Sequence, residues 1–252
     1  MAVGNFSDSS HYTQGLIETL AGGSPSVMTA PVPTAEANAG TDPRVSLDAV
    51  SCDSSTSCVA VGTYQDSSGE QGLIESLSGG TWSATAAPLG GLSDPGSAPG
   101  YQNMRLPAVS CPAAGSCVAV GNYDDASGLQ QSLIETLSGG TWSATTAPLS
   151  NLSPAATGNP AIVFDALSCP ASGSCVAIAS YLDSSGGTDG LIETLSGGTW
   201  TATTAPLGGL TPGSASPPVV PLTALSCPAT GSCVVIGDYD AASAQEGLIE
   251  TQ

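Results

Sequence analysis

The sequence has no lysine, and its only basic side chains are two arginines and one histidine. Against these stand 21 acidic residues, which give a formal net charge of −19. A charge of this sign and size repels phosphate backbones and anionic lipid headgroups. The composition therefore predicts neither a nucleic-acid partner nor a membrane surface. It favours high solubility or an acidic or salt-rich habitat, with cation binding as the alternative.

Long apolar segments are missing as well. No run of about 18 apolar residues is present, so the sequence predicts no membrane-spanning helix. No charged segment followed by an apolar one forms a secretion signal. Only 4% of the residues are aromatic, whereas glycine and proline supply 32 and 19 residues. Helical periodicity is absent, which leaves strands and turns as the elements of the fold.

Cysteine, by contrast, is regularly placed. The eight cysteines form four Cys-x5-Cys pairs, namely Cys52/Cys58, Cys111/Cys117, Cys169/Cys175 and Cys227/Cys233. Even pairing of this kind predicts disulfides formed in an oxidising compartment. We therefore expect a secreted or cell-surface protein whose leader has been removed, or a piece of a longer secreted chain.

The cysteine pairs mark a tandem repeat. Their first members follow one another at steps of 59, 58 and 58 residues. Each unit has four strand-like segments, which we call a, b, c and d; in one unit they read "LPAVSC" (106–111), "CVAVGNY" (117–123), "SLIETL" (132–137) and "TWSATTAP" (141–148). Four short strands repeated radially predict an all-β fold, a β-propeller of four-stranded antiparallel blades.

The repeat divides the chain into five blades of one domain. The predicted units are 1–46, 47–105, 106–163, 164–221 and 222–252, of which the first lacks segment a and the last lacks segment d. A β-helix is the rival fold, but its rungs are much shorter than one such unit.

The pattern "SC…CVAVG…LIE…GxTW" resembles the tandem repeats of propellers in secreted bacterial proteins. That resemblance implies the fold strongly and the function hardly at all. The "GxTW" segment is also similar to the second half of the Asp-box of sialidase-type propellers. Where that motif has Ser and Asp, this chain has Glu75 and Leu77, so the resemblance gives sialidase activity no support.

An antiparallel meander sorts the repeat into two faces. The a–b and c–d turns, which carry the cysteines and "SGG", share one face and are predicted to be structural. The variable b–c and d–a connections share the other, and long variable loops are commonly functional. We expect the loop face to bind a glycan, a peptide or a surface polymer.

Residues that interrupt the repeat are the candidates for function on the loop face. His11, Arg44 and Arg105 are the weak catalytic candidates, although each arginine is also placed to pair with a loop aspartate such as Asp42. Tyr12, Tyr101, Asn103 and Phe164 are the predicted ligand-binding residues, because all four are assigned to the loops.

Aspartates recur at the start of the b–c loops. They are Asp8, Asp66, Asp125 and Asp183. Aspartate followed by serine and glycine is favourable turn chemistry. The alternative is calcium, although the alternating oxygen pattern of a dedicated calcium loop is missing.

Other polar and aromatic residues recur in every unit and are predicted to serve the blade. The tryptophans and the strand-b tyrosines are expected to pack between blades. The strand-c glutamates, Glu18, Glu75, Glu135, Glu193 and Glu250, are expected to be buried and hydrogen-bonded. The alternative is a ring of carboxylates that holds a hard cation in the central channel.

These features favour a non-catalytic extracellular binding or scaffolding module. The first alternative is a hydrolase with its site at the propeller mouth, either a glycoside hydrolase or a calcium-assisted ester or phosphoester hydrolase. The second alternative is a structural subunit that self-associates through the end blades.

Overall fold

The structure, a computed structural model, describes residues 1–21, 24–33, 42–92, 102–149, 152, 161–184, 186–207, 210, 220–241 and 244–251. Every regular element in these ranges is a strand or a turn, which confirms the prediction of an all-β fold. Within the same ranges, no helix is long and apolar enough to cross a membrane.

The strands form five sheets in chain order. Sheet 1 contains β1 (Ala2–Ser7), β2 (Thr13–Ala21) and β3 (Ser24–Thr29). Sheet 2 contains β4 (Ser46–Ser54), β5 (Ser57–Gln65), β6 (Gly69–Ser78) and β7 (Thr81–Ala86), and the short β8 (Gln102–Asn103) pairs in parallel with β6. Sheet 3 contains β9 (Arg105–Ala113), β10 (Ser116–Asp124), β11 (Gln130–Ser138) and β12 (Thr141–Thr145).

The last two sheets repeat the pattern. Sheet 4 contains β13 (Val163–Ala171), β14 (Ser174–Leu182), β15 (Thr188–Ser196) and β16 (Thr199–Thr204). Sheet 5 contains β17 (Leu222–Ala229), β18 (Ser232–Asp240) and β19 (Gln245–Thr251). Consecutive strands pair antiparallel in each sheet, as the segments a, b, c and d predict. The two glycines of each "SGG" turn have positive φ, 58° and 84° at Gly79 and Gly80, a conformation that glycine adopts without strain.

All four predicted disulfides are present. Each joins the first strand of a sheet to the second across a tight turn, with a Cα–Cα distance of 4.0–4.1 Å. Sheets 2 to 5 each have one, and together they use all eight cysteines. Four disulfides indicate an oxidising environment for the folded chain.

The a strands of neighbouring sheets contact one another. β4, β9, β13 and β17 lie side by side in that order. The N–H of Cys111 donates to Ser51 Oγ at 2.9 Å, and the N–H of Cys169 donates to Ser110 Oγ at 3.0 Å. The same bond, at 3.3 Å, joins Cys227 to Ser168. The Ser-Cys dipeptide thus links sheets 2 to 5, each to the next, in addition to forming the disulfide.

The core lies between the sheets and not inside any one of them. Each sheet has a front face, directed at the preceding sheet, and a back face, directed at the following one. Four apolar clusters fill the four spaces between consecutive sheets. In sheet 3, for example, Val120 and Ile134 pack backwards on sheet 4, whereas Ala119 and Leu133 pack forwards on sheet 2. Burial on both faces explains why strands b and c are almost continuously apolar.

The second cysteine of each pair belongs to strand b, as segment b predicts, and its side chain lies in the core. Cys175 belongs to β14 and is 1% exposed, and Cys233 belongs to β18 and is 4% exposed. Cys175 packs in the core between sheets 3 and 4, and Cys233 packs in the core between sheets 4 and 5. Cys58 and Cys117 are buried in the same way, at 3% exposure each. The reason is strand alternation, which turns these side chains onto the front face, where the preceding sheet covers them.

Among the described residues, nothing covers the front face of sheet 1 or the back face of sheet 5. Strand β18 alternates buried and exposed residues, whereas β5, β10 and β14 are buried nearly throughout. In the described part of the chain, no strand of sheet 5 packs on sheet 1 in the way that neighbouring sheets pack on each other.

Candidate functional site

The b–c loops are held by their aspartates. Asp125 Oδ1 accepts the N–H groups of Ser127 at 2.8 Å and Leu129 at 3.1 Å, and Oδ2 accepts Gln131 Nε2 at 2.9 Å. Asp8 and Asp66 accept the corresponding backbone and glutamine groups of their own loops, and Asp183 accepts the N–H of Gly187 at 2.7 Å. The N–H of Tyr12 holds the pKa of Asp8 below its ordinary value. These bonds support the turn role of the aspartates.

A cation would have to displace those donors. The carboxylate oxygens of these aspartates already accept N–H groups of their own loops, so they point into the loop and not towards a site for a bound ion. In the described ranges, no group of three or more His, Cys, Asp or Glu side chains is placed to hold a metal ion.

The catalytic candidates of the loop face have separate partners. Arg105 Nε donates to Glu70 Oε1 at 3.0 Å, and Arg44 Nε lies 3.9 Å from Asp42 Oδ2, both in exposed pairs. Exposed pairs of this kind contribute about 1 kcal/mol or less. His11 is exposed in the first b–c loop, where its φ is 65°. The pairing of Arg44 with Asp42 is the structural alternative that the sequence offered.

The structure places the predicted ligand-binding residues in different surroundings. Asn103 belongs to β8, and its Nδ2 donates to Asp124 Oδ2 at 2.7 Å, so it ties sheet 2 to sheet 3. Tyr12 is half-buried in the first loop, and Tyr101 lies outside the described residues. The loop position of Phe164 was wrong: this residue belongs to β13, is 2% exposed and packs in the core between sheets 3 and 4. Its alternating position on the strand turns it inwards, where no ligand on the loop face can contact it.

The strand-c glutamates are buried, but they do not have the expected partners. Glu75, Glu135 and Glu193 are fully buried and Glu250 is 8% exposed. None of their carboxyl oxygens has a hydrogen-bond partner among the described residues. Glu135 stands opposite Ala119 and Ala144 in the sheet, on the front face that packs against sheet 2. The glutamates therefore lie one per interface between sheets, and the predicted hydrogen bonds are wrong.

Their protonation follows from this burial. An unpaired carboxylate in an apolar interface has lost its hydration and gained nothing in return. Burial raises the pKa of Glu75, Glu135 and Glu193 to about 8. A pKa raised in this way favours the protonated carboxyl at pH 7, and the absence of exposed surface keeps these groups from any substrate.

Three clefts of the described structure lie on the other face, among the turns next to the disulfides. Between sheets 2 and 3 there is a cleft of about 700 Å³, which we call cleft 2/3. Trp142 and the Cys111–Cys117 disulfide form its sheet 3 wall, and Ser76 and Thr85 belong to its sheet 2 wall. Asp53, near the end of β4 and next to the a–b turn of sheet 2, is exposed at the same cleft.

The next interface has the equivalent cleft. Cleft 3/4 has a volume of about 380 Å³ and is lined by Trp200 from sheet 4. Its sheet 3 wall carries the hydroxyls of Thr136, Ser143 and Thr145.

The cleft between sheets 4 and 5 is the smallest of the three, at about 170 Å³. Cys175 and Cys233 lie at its base, where both are buried and disulfide-bonded, so neither offers a thiol to a ligand or a metal. This cleft contains no tryptophan, because sheet 5 has no strand d in the described residues. The tryptophan of strand d is thus the residue that distinguishes the larger clefts.

The three tryptophans are not equivalent. Trp82, between sheets 1 and 2, is 8% exposed, as an interior role predicts. Trp142 and Trp200 are only half-buried, and each forms a wall of its cleft. Their indoles stand on front faces, opposite Leu137 and Leu195 in the paired strand. The prediction of an interior tryptophan is confirmed for Trp82 and holds only in part for the other two.

Sequence reasoning missed Asp53 because it concentrated on the loop face. The signal was present: the other a–b turns read "CPAAGSC", "CPASGSC" and "CPATGSC", whereas the turn of sheet 2 reads "CDSSTSC". Asp53 is the one ionisable side chain among the described residues that line cleft 2/3.

The sequence matches no protein-family model and no curated protein. The clefts and the residues that line them are therefore the features from which we infer a function.

Proposed function

We propose that this chain is a non-catalytic extracellular binding module of propeller type, and that clefts 2/3 and 3/4 bind a neutral glycan. The observation that carries the proposal is the repeated combination, in both clefts, of a half-exposed tryptophan with serine and threonine hydroxyls. The five sheets act as blades of the array, and the ligand lies in the grooves between blades.

The size and chemistry of the clefts fit a sugar. Their volumes of about 700 and 380 Å³ fall in the range of about 300–1,000 Å³ that is usual for small-ligand sites. The third cleft, at about 170 Å³, is below that range. An indole gives a flat apolar surface on which the C–H face of a sugar ring can lie. The hydroxyls of Thr85 and Ser143 already donate to carbonyls of their own sheets, so they are available to accept O–H groups of the ligand.

Charge narrows the ligand class further. The net charge of −19 disfavours polyanions, including acidic polysaccharides. No lysine exists and both arginines are on the opposite face, where they pair with Asp42 and Glu70. The described walls of the clefts contain no basic side chain that would fix a carboxylate or a sulfate. A neutral glycan needs no such partner, and Asp53 is available to accept its hydroxyl groups.

The arrangement of carboxyls supports binding without turnover. A glycoside hydrolase places two carboxyls about 5–10 Å apart on either side of the bond that it breaks. The perturbed glutamates of this chain are instead buried singly, one in each interface. Neither a proton nor a nucleophile can pass from them to a bound ligand in this conformation.

The proposal is tested by titrating neutral oligosaccharides, followed by calorimetry and by tryptophan fluorescence. We expect a fluorescence change on binding, because Trp142 and Trp200 contact the ligand. Trp142→Ala and Trp200→Ala should each remove about half of the sites, and the double variant should lose binding altogether. A polymeric glycan should bind about a hundred times more tightly than its oligosaccharide unit, since two clefts on one rigid array act together.

Matched variants decide between the two faces. Trp142→Phe keeps an aromatic surface and should retain part of the affinity, whereas Tyr12→Ala changes the loop face and should leave binding intact. Loss of binding in Tyr12→Ala with no effect of Trp142→Ala would move the site to the loop face and overturn the proposal. Product release during the titration would identify a hydrolase instead.

A further inference from the structure

The back face of sheet 5 exposes apolar side chains that are buried in the sheets before it. Val234, Ile236 and Ile249 are 43%, 44% and 74% exposed. The register places Ile236 opposite Ile249, so these two form one patch. The patch lies on the side away from Val235 and Leu248, which pack on sheet 4.

The same repeat positions show what such a patch contacts. Ile249 corresponds to Ile74, Ile134 and Ile192, all 0% exposed. Each of these isoleucines belongs to the cluster that joins its sheet to the following one. Ile236 corresponds in the same way to Val61, Val120 and Ile178, which are also 0% exposed. The back face of sheet 5 is thus one half of an interface that the chain builds between consecutive sheets.

The other half is present at the opposite end. On the front face of sheet 1, Leu20 is 70% exposed and Val27 is 61% exposed. Leu20 corresponds to Leu77 and Leu195, which are 8% and 7% exposed against the preceding sheet. Val27 stands opposite Glu18 in the sheet, as Ala202 stands opposite Glu193. The front face of sheet 1 therefore repeats part of the pattern that back faces accept elsewhere. Its strand c is equivalent, whereas Pro25 stands at the tryptophan position and no strand a is present among the described residues.

We propose that two copies of this chain associate head to tail, with the back face of sheet 5 in one copy packed on the front face of sheet 1 in the next. The contact continues the interface already formed between sheets of one chain, and it covers apolar residues that the chain's own ends leave exposed. Because two different surfaces meet, the association is heterologous and propagates into rings or filaments. The proposal does not depend on ligand binding.

The net charge predicts that this association depends on salt concentration. Two copies with a charge of −19 each repel one another over a distance set by the ionic strength. The screening length falls from about 10 Å in 0.1 M salt to about 3 Å in 1 M salt. Apolar burial is not weakened by salt, so assembly should increase as salt is added.

The first experiment is sedimentation velocity of the full chain over a range of concentrations, in low salt and in 1 M NaCl. We expect species larger than the monomer, which increase with protein concentration and with salt. Leu20→Asp and Ile249→Asp each place a charge in the contact, and each should raise the concentration for half-assembly at least about tenfold. Val163→Asp is the matched control, because Val163 is also 43% exposed but lies on an interior sheet. It should assemble like the parent chain.

The second experiment separates a partner copy from the chain's own end. A mixture of the single variants Leu20→Cys and Ile249→Cys should give disulfide-linked dimers that neither variant gives alone. The double variant should give longer linked species. A double variant that links only within its own monomer would show that the two ends close on each other and would overturn the proposal. A monomer at all concentrations and salts would overturn it too, as would equal assembly of Ile249→Asp and Val163→Asp.

Discussion

The interior sheets and the end sheets share their sequence pattern but not their surroundings. In sheet 3, Ile134 is 0% exposed, whereas Ile249 in sheet 5 occupies the same repeat position and is 74% exposed. Glu18 in sheet 1 is half-buried, and its counterpart Glu135 is fully buried. The strand pairing around these residues is the same in kind. A neighbouring sheet, and not the strand's own sequence, decides whether such a side chain is core or surface.

The largest expected difference concerns pH. Glu75, Glu135 and Glu193 have a folded-state pKa of about 8, far above the ordinary value in an unfolded chain. Between roughly pH 4.5 and 8 the folded chain retains protons that the unfolded chain releases, so stability falls as pH rises. Each group contributes a slope of about 1.4 kcal/mol per pH unit. Urea unfolding at pH 5, 6, 7 and 8 gives the free energy of unfolding at each pH, and its slope is the sum of the contributions of these glutamates.

Matched variants test this explanation. Glu135→Gln keeps the size of the protonated side chain and removes its titration, so the slope should decrease by the share of one group. Glu75→Gln changes the same repeat position in the interface between sheets 1 and 2 and should decrease the slope by the same share. An identical slope in the parent chain and in Glu135→Gln would mean that water reaches the interface between sheets 2 and 3.

The second difference concerns apolar burial. Ile134→Asp places a charge between sheets 3 and 4, where no basic side chain faces it among the described residues. We expect a loss of about 4 kcal/mol or more. Ile249→Asp should change the stability of the monomer by about 0.5 kcal/mol or less, because the site is exposed. Thermal unfolding of both variants at pH 6 measures this contrast. Equal losses would show that sheet 5 is covered in solution even as a monomer.

The disulfides should behave alike in interior and end sheets. Each closes a loop of the same length, with a sequence separation of 6, and Cys175 and Cys233 are both buried against the preceding sheet. The chain-entropy model gives about 2 kcal/mol for a loop of this size. Replacing both cysteines by alanine should therefore cost about the same for Cys169 and Cys175 in sheet 4 as for Cys227 and Cys233 in sheet 5, as judged by urea midpoints. A much larger loss in sheet 4 would assign the stabilisation to packing and not to the closed loop.

The smallest difference concerns one hydrogen bond. Ser110→Ala removes the acceptor for the N–H of Cys169 in the next sheet, and we expect a loss of about 1 kcal/mol. Ser226 is the equivalent residue of sheet 5, which no sixth sheet follows in the described residues, so Ser226→Ala should be neutral. Urea unfolding with both variants in parallel resolves a difference of this size. Amide hydrogen exchange at Cys169 should also accelerate in Ser110→Ala.

The periodic sequence was sufficient to predict the strands, their order in each sheet and the disulfides. Each of these depends on residues that are close in the chain, such as Cys111 and Cys117 or the glycine turn at 139–140. The alternation within a strand predicts two faces but not what covers them. For that reason Phe164 is predicted in a loop, although it lies on a strand that the preceding sheet covers.

The candidate site was harder to predict because a cleft is a property of two sheets at once. The sequence predicts Trp142 to be a core residue, because nothing within its own repeat unit indicates the cleft that opens beside it between sheets 2 and 3. The hydrogen bonds predicted for the glutamates are wrong for a related reason. Burial of a carboxyl predicts a hydrogen-bond partner, but the residues opposite Glu135 in the paired strands are alanines. The long connections between sheets were the predicted binding loops, and most of their residues lie outside the described ranges.

The hydrogen bond from the N–H of Cys111, Cys169 and Cys227 to the serine of the preceding sheet bears on whether further repeat units can be inserted into the chain. Both partners belong to one dipeptide, so a duplicated unit carries its own donor for the sheet before it and its own acceptor for the sheet after it. Inserting one more unit of about 58 residues, the repeat length of this chain, between sheets 3 and 4 would create two interfaces where one existed. A protein lengthened in this way gains a groove without any compensating change elsewhere in the chain.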